Sequence, residues 1–320
     1  MLKQLRPSSA EWRGHQNPAA LTKSSAGFDT TKLFIGAEGT LGIVTEAPLM
    51  PTSVAVVHFP DVRKATEAVC EVMNKGVGIR KHRTQTFTLA RFDPDHYAVA
   101  ECVELCDDDF MRSTNVYGMS LRKYPEKDSL YFKFQGPTQR SIKESMEIVR
   151  DITKKYGGTG FTTANNDKEA ADLWQDRKNA LYSGLALVPG ARGWSTDVCV
   201  PVSRLPDLVY ETKKDIQQSG IVSTIVGHVG DGNFHALLLF KNDEELETCK
   251  HLVHRMVERA IALDGTCTGE HGVGLGKRKY LVDELGEGTV ELMKTIKRAI
   301  DPYNLFNPGR CAVVCHASIY

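Results

Sequence analysis

The chain has 320 residues, 41% of them hydrophobic and 25% charged, an ordinary balance for a globular protein that exceeds one typical domain in length. Forty basic side chains offset forty acidic ones, so no net charge favours nucleic acid or an anionic membrane surface as a partner. No run approaches the roughly 20 apolar residues of a transmembrane helix, so no transmembrane segment is predicted.

The first half of the chain alternates between strand and helix patterns. Residues 1–27 are polar and irregular, and the segment that follows places Gly36, Gly39 and Gly42 within seven residues, which permits a close approach of backbone to a ligand. β-branched residues predict strands, and apolar residues at helical spacing predict helices. The predicted strands are 53–59, 130–134 (half-buried) and 161–163, and the predicted helices are 61–73 and 142–156.

One segment, 81–101, fits neither pattern. It shows no sustained period and interrupts a unit that otherwise reads as continuous, and unstructured loops of that length are uncommon in compact domains. It is therefore interpreted as an insertion.

The second half of the chain also alternates between strand and helix patterns. The turn 230–233 is a strong hairpin signal, and Asn242 has the position and residue type of a helix N-cap. The predicted strands are 196–200, 221–226 and 234–240, and the predicted helices are 205–216, 290–300 and a long one after Asn242. This order predicts an α+β fold in which antiparallel sheets, built as two βαβ-rich halves, are covered by helices.

Two stretches, GHVGDGNFH (227–235) and GEHG (269–272), carry the chemistry. The hairpin turn lies between His228 and His235, so the two imidazoles can meet at its mouth, and Glu270 offers an anionic oxygen. Two imidazoles and one carboxylate suit zinc, manganese or iron. His271, next to Glu270, can act as a base. The alternative is that both histidines merely flank a hydrophilic hairpin.

Arg177 is a candidate for binding an acid, because a guanidinium group matches a carboxylate with two parallel hydrogen bonds. The segment 173–181 is predicted to be helical. Taken alone, the arginine is more readily interpreted as a solvated surface charge. The sequence NPG (307–309) reads by itself as a turn.

Together these motifs resemble a known family. The stretches that carry the resemblance are LFIGAEGTLGIVTEA (33–47), LWQDRKNALYSGLALVPGARGWSTDVCVPVSRLPD (173–207), IVGHVGDGNFHALLLF (225–240), GTCTGEHGVGLGKR (265–278) and AIDPYNLFNPG (299–309). They are similar to the flavin-linked D-lactate dehydrogenase (cytochrome) family, which belongs to the vanillyl-alcohol-oxidase-type flavoproteins with the glycolate oxidase D subunit and D-2-hydroxyglutarate dehydrogenase.

The resemblance implies a specific activity and a specific site. His228, His235 and Glu270 would bind a divalent metal, zinc or manganese, His271 would be the catalytic base, and Arg177 would bind the substrate carboxylate. The implied reaction converts D-lactate or a related D-2-hydroxy acid to the 2-keto acid, with electrons passed to cytochrome c in the mitochondrion. The residues implied to lie against FAD are Gly36, Glu38, Gly39, Gly42, Ile43 and Asn307.

The resemblance also predicts the organisation of the chain. Residues 1–23 are unmatched, 24–50 are a remnant of the FAD-binding domain, 51–310 form the C-terminal substrate domain with a ferredoxin-like sheet, and 311–320 are unmatched. The family's pyrophosphate loop is not found, so we expect this chain to bind little FAD and to turn over poorly. Residues 1–16, 81–101 and 311–320 are interpreted as translated intron or misassembled gene sequence, which transcripts joining Arg80 directly to Cys102 would support.

Two other function classes stay open at this stage. A hydrolase could use the same histidines and Glu270 to activate water. A non-catalytic remnant could fold and bind metal without turning over any substrate. Bleaching of a bound flavin by D-lactate separates the oxidoreductase from both.

Overall fold

The computed structural model describes residues 53–75, 99–135 and 139–308. The chain divides into two units: Pro51–Gly269, and Met1–Met50 together with Glu270–Tyr320. Within these described ranges, no helix is long and apolar enough to cross a bilayer.

The larger unit is an antiparallel sheet with helices. Its strands are β1 (Ser53–His58), β2 (Val99–Cys106), β3 (Ser129–Gln135), β4 (Thr159–Thr163), β5 (Arg192–Ser195), β6 (Val198–Cys199), β7 (Ser223–His228) and β8 (Asn233–Phe240). The strand order is β4-β1-β3-β2-β7-β8-β5, and β6 pairs with β8. Every neighbouring pair is antiparallel, which confirms the predicted α+β class.

Seven helices are described in this unit. They are α1 (Val62–Asn74), α2 (Asp108–Tyr117), α3 (Gln139–Lys155), α4 (Asp167–Lys178), α5 (Ala180–Ala186), α6 (Leu205–Ser219) and α7 (Asp243–Ala262). The predicted cap of α7 is confirmed, because Oδ1 of Asn242 accepts a hydrogen bond of 2.8 Å from the Glu245 amide. Gly220 ends α6 with a φ of 75°, a conformation that glycine adopts without strain.

The sheet differs from the sequence prediction at three places. β3 is not half-buried: Ser129, Leu130, Tyr131 and Phe132 are all buried, so both of its faces are covered. The strand predicted at 196–200 is shorter in the structure, where β6 covers only Val198–Cys199, and β5, which was not predicted, ends just before it at Ser195. Oγ1 of Thr196, between the two strands, accepts a hydrogen bond from the Ala236 amide of β8.

The third difference is at β2 and α2, neither of which was predicted. β2 begins at Val99, inside the predicted insertion 81–101, and its register against β3 shifts between Ala100 and Cys102. Most of the insertion lies outside the described residues. The start of α2 is set by Asp107, whose Oδ1 accepts a hydrogen bond of 2.8 Å from the Phe110 amide.

Asp107 also connects α2 to the sheet. Its carboxylate is 1% exposed, its Oδ1 accepts a second bond of 3.0 Å from the Ile225 amide of β7, and Lys213 Nζ lies 3.4 Å from its Oδ2. Burial raises the pKa of Asp107 to about 7, although the Lys213 ammonium acts in the opposite direction. The folded protein therefore holds this proton up to a pH at which an unfolded chain has lost it.

Replacing Asp107 with asparagine is expected to change how stability depends on pH. Between the ordinary carboxyl pKa of 3.8 and the folded value of about 7, the folded state binds the extra proton, so this group lowers the free energy of unfolding as pH rises. The amide introduced by Asp107→Asn cannot titrate but keeps an oxygen acceptor. Urea unfolding at about pH 5 and about pH 8 should show a larger advantage of wild type at the lower pH.

The matched control is Asp151→Asn, since Asp151 is an exposed residue of α3. Its stability relative to wild type should be the same at both pH values. An Asp107→Asn protein whose relative stability also stays constant with pH would contradict the prediction.

The second unit is described for residues 270–308. Its helix α8 (Leu281–Ile300) extends the predicted helix 290–300 towards the N-terminus, with a non-helical break at Gly286 (φ 78°, ψ 158°). After the helix, the carboxylate of Asp301 accepts hydrogen bonds from the Leu305 and Phe306 amides, both 2.9 Å, and from Lys297 Nζ. This arrangement fixes the turn that leads to Asn307.

Candidate functional site

The hairpin of β7 and β8 brings His228 and His235 together. Their ring centroids are 5.5 Å apart and their planes are inclined by 81°. The turn requires glycine at position 232, where φ is 81° and a Cβ atom would lie 1.9 Å from the Val200 carbonyl oxygen. Glycine is also required at 227, because a Cβ there would lie 2.5 Å from that of Phe234.

Both imidazoles have their Nδ1 atom engaged by an acceptor. Nδ1 of His235 lies 3.0 Å from the Thr196 carbonyl oxygen, which can only accept, so this nitrogen carries a proton. Nδ1 of His228 lies 2.7 Å from Oε1 of Glu104. When Glu104 is ionised, His228 donates as well, and both neutral rings then carry their lone pair on Nε2, the atom with which a metal would be bound.

Glu104, on β2, is a functional candidate that the sequence did not reveal. Its side chain is 3% exposed, and besides His228 it accepts a hydrogen bond of 2.8 Å from Nη2 of Arg177 at Oε2. Burial opposes its ionisation, but the hydrogen bond from His228 and the charge of Arg177 outweigh that effect and lower the pKa of Glu104 below its usual value. One sequence signal was present: an acid between the apolar residues Val103 and Leu105 of a strand.

Arg177 is buried rather than solvated. It lies in the last turn of α4 and is 9% exposed, and its buried Nε makes no hydrogen bond to any described residue. The residue before it, Asp176, accepts bonds from Ser120 (2.8 Å) and Tyr124 (2.6 Å), which anchor this turn of the helix. The guanidinium group therefore pairs with Glu104 through Nη2, and its Nε–H group is left to bind a further acceptor.

A second buried carboxylate, Asp197, joins the hairpin to the loop that follows α7. It is 1% exposed and accepts hydrogen bonds from Nδ2 of Asn233 (2.7 Å) and Oγ1 of Thr268 (2.6 Å). Its Oδ1 also lies 3.6 Å from Nδ1 of His235. Gly269, the last residue of this unit, packs so closely that a Cβ would lie 1.8 Å from Nδ2 of Asn233. Sequence reasoning missed Asp197 as well.

The remaining predicted site residues fall elsewhere in the chain. Glu270 and His271 begin the second unit, where their side chains are 48% and 43% exposed and His271 Nε2 lies 3.9 Å from Glu270 Oε1. Asn307 belongs to the same unit and has a φ of 43°. The predicted FAD contacts Gly36, Glu38, Gly39, Gly42 and Ile43 lie outside the described residues.

A group of acids at the start of α2 is a weaker candidate. Asp107, Asp108 and Asp109 can bring one oxygen each within 4.8 Å of one another. The Lys213 ammonium, however, lies 2.5 Å from Asp108 and 3.1 Å from Asp128. A protein cation already occupies the place that a metal would need.

Comparison with known proteins identifies relatives along most of the chain. The family described as "FAD linked oxidases, C-terminal domain" matches residues 50–311. A protein named "Probable D-lactate dehydrogenase, mitochondrial" from Danio rerio is 38% identical over 296 residues, 90% of this chain and 55% of that protein. "D-lactate dehydrogenase [cytochrome] 1, mitochondrial" from Saccharomyces cerevisiae is 40% identical over 299 residues, 90% of this chain and 47% of its own length.

A more distant relative is the "Glycolate oxidase subunit GlcD" of Bacillus subtilis, 32% identical over 91% of this chain and 58% of its own length. The chain thus spans about half the length of the curated relatives it matches. Among solved structures, p-cresol methylhydroxylase with substrate bound matches with a TM-score of 0.62 at 15% identity, over 100% of this chain and 66% of that one. At that identity the match supports the fold alone.

Proposed function

Because this chain belongs to the FAD-linked oxidases and carries their C-terminal domain, we propose that it acts in the oxidation of D-lactate, or a related small D-2-hydroxy acid, to the 2-keto acid. The observation that carries the proposal is that Glu104 contacts both Arg177 and His228. One buried carboxylate holds a candidate acid-binding group at one oxygen and a candidate metal-binding group at the other.

Arg177 is the group we assign to the substrate carboxylate. A buried guanidinium with an unused Nε–H gains more from an anion than an exposed one, because little water competes for the bond. Glu104 balances the arginine's charge when no substrate is bound. The substrate carboxylate would therefore bind beside an existing ion pair.

His228, His235 and Glu270 are the residues we assign to a divalent metal, zinc or manganese. The two histidines suit this role, because each has an acceptor for its Nδ1–H and so presents Nε2. Glu270 is the proposed third ligand, because one carboxylate beside two imidazoles is a ligand set that zinc and manganese accept. When bound, the metal supplies a Lewis acid for the substrate hydroxyl.

His271 is the proposed base, and it takes the proton of the substrate hydroxyl group. Asn307 and the loop residues Gly36, Glu38, Gly39, Gly42 and Ile43 are the proposed contacts of FAD. Bound FAD supplies the acceptor for the hydride that leaves carbon 2 of the substrate. Two of the relatives' names give mitochondria as the location and one gives cytochrome, so we propose a mitochondrial protein whose electrons pass to cytochrome c.

The substitution Arg177→Lys tests the assignment of the acid site. Lysine keeps the positive charge beside Glu104 but lacks Nε and the planar fork, so D-lactate affinity should fall by at least about tenfold. The affinity is measured by calorimetry on the manganese-loaded chain. Arg140→Lys, at a 90% exposed position of α3, is the matched control and should bind D-lactate as wild type does. Equal affinities for Arg177→Lys and wild type would refute the assignment.

The redox half of the proposal is tested by the visible spectrum of the chain after incubation with FAD and removal of free cofactor. Retained flavin that D-lactate bleaches, and L-lactate does not, supports the complete reaction. If the protein is colourless but binds D-lactate, the chain binds the substrate and does not retain the flavin. Failure to bind D-lactate, glycolate or D-2-hydroxyglutarate would refute the proposal.

A further inference from the structure

We propose that Glu104 is a positioning residue that sets the metal-binding tautomer of His228 while it holds Arg177, so that one carboxylate orders both halves of the site. This inference rests on the proposed function, because that function gives His228 a metal to bind. The contacts that it uses join Glu104 on β2 to His228 on β7 and to Arg177 on α4.

The hydrogen-bond chemistry at Glu104 allows one arrangement. Arg177 has N–H donors and no acceptor, and it does not lose its proton in proteins, so Oε2 of Glu104 must accept. A carboxylate paired with arginine in this way is ionised and has no proton to give at Oε1. Nδ1 of His228, 2.7 Å away, must then be the donor, and in the neutral imidazole the lone pair is on Nε2.

The backbone fixes this contact. Glu104 and His228 are directly opposite partners in the antiparallel pairing of β2 and β7, where residues face each other at the shortest cross-strand distance. The side chain of Glu104 is 3% exposed, which leaves no room for water to replace it as the acceptor. At Nδ1 of His228, the acceptor is therefore the Glu104 carboxylate.

The two histidines differ in this respect. His235 gives its Nδ1 proton to the backbone carbonyl of Thr196, an acceptor that substitution of a side chain does not remove. A change at position 104 should accordingly affect His228 and leave His235 as an internal reference.

Glutamine at position 104 separates the proposed role from a merely structural one. Its amide has one acceptor and one donor end, whereas Arg177 and His228 both need an acceptor. Because the arginine cannot change its protonation, we expect the glutamine oxygen to face Arg177 and the NH₂ group to face His228. His228 must then accept at Nδ1 and carry its proton on Nε2, which removes the lone pair that a metal requires.

The experiment uses the whole chain with ¹⁵N-labelled histidine and no metal, substrate or FAD. Long-range ¹H–¹⁵N correlations distinguish the two tautomers, and the His228 signal is identified by its loss in His228→Ala. Wild type should show His228 and His235 protonated at Nδ1. In Glu104→Gln, His228 should change to the Nε2–H form while His235 stays the same. Titration with Mn²⁺ should then show an affinity loss of roughly 10- to 100-fold.

Glu71→Gln is the matched control. Oε2 of Glu71 likewise accepts from two donors, Lys155 (2.5 Å) and Tyr156 (2.7 Å), but its partners include no histidine. This variant should leave the tautomer of His228 and the Mn²⁺ affinity unchanged. It controls for the general effect of placing an amide between two donors.

Two results would overturn the proposal. One is a neutral wild-type His228 that carries its proton on Nε2 rather than on Nδ1, which can be measured even if Glu104→Gln does not fold. The other is a folded Glu104→Gln protein whose His228 stays in the Nδ1–H form. Neither result depends on lactate binding, so the failure of the proposed function, seen as absent binding of D-2-hydroxy acids by wild type, is a separate outcome.

Discussion

Replacing His235 with alanine is expected to lower the affinity of the chain for zinc or manganese by at least about a hundredfold. Loss of an outer-shell partner alone typically costs roughly 10- to 100-fold, and loss of a ligand costs more. His235 is 6% exposed, and its Nδ1–H is fixed on the Thr196 carbonyl, so no neighbouring rotamer change restores the missing nitrogen. The affinity is measured by calorimetric titration of the metal-free chain.

The matched control is His251→Ala, at a 65% exposed position of α7. It should bind metal as wild type does. Metal removal provides a second measurement: a chelator should lower the melting temperature of metal-loaded wild type and of His251→Ala, but not that of His235→Ala. If His235→Ala keeps wild-type affinity while folded, the assignment of the hairpin to a metal is wrong.

Replacing Gly269 with alanine is expected to lower the free energy of unfolding by about 3 to 5 kcal/mol. The cause is steric, because the φ of Gly269 lies outside the left-handed region while its Cβ would be 1.8 Å from Nδ2 of Asn233 and 3.0 Å from Oδ1 of Asp197. Asn233 cannot move aside cheaply, since it is 4% exposed and its Nδ2 also donates to the Val198 carbonyl at 2.8 Å. Urea unfolding gives the change directly.

Gly276→Ala is the control for this prediction. Gly276 lies seven residues later in the same glycine-rich stretch, and a Cβ there would meet no atom of the described structure within 4 Å. We expect a change of no more than about 0.5 kcal/mol, in either direction. If both variants unfold at the same urea concentration, the close packing of Gly269 against Asn233 does not contribute to stability.

The sequence alone determined what depends on neighbours along the chain. The long helix after Asn242, the helix predicted at 205–216 (α6) and the β7–β8 hairpin follow from caps, breakers and periodicity, which act over a few residues. The α+β class follows from the order of such elements. The family followed from specific motifs, because residues 33–47 and 225–240 are long enough to be distinctive.

Only the tertiary structure revealed the partners of the candidate residues. Glu104 contacts Arg177, 73 residues later, and His228, 124 residues later, because β2 pairs with β7 in one register. Asp197 likewise meets Thr268 across 71 residues. Local sequence does not show which groups such acids pair with: the position of Glu104 between Val103 and Leu105 indicates burial at most, and an aspartate after a threonine is an ordinary surface residue by composition. Their roles arise from which strands become neighbours, and that is settled by the packing of the whole unit.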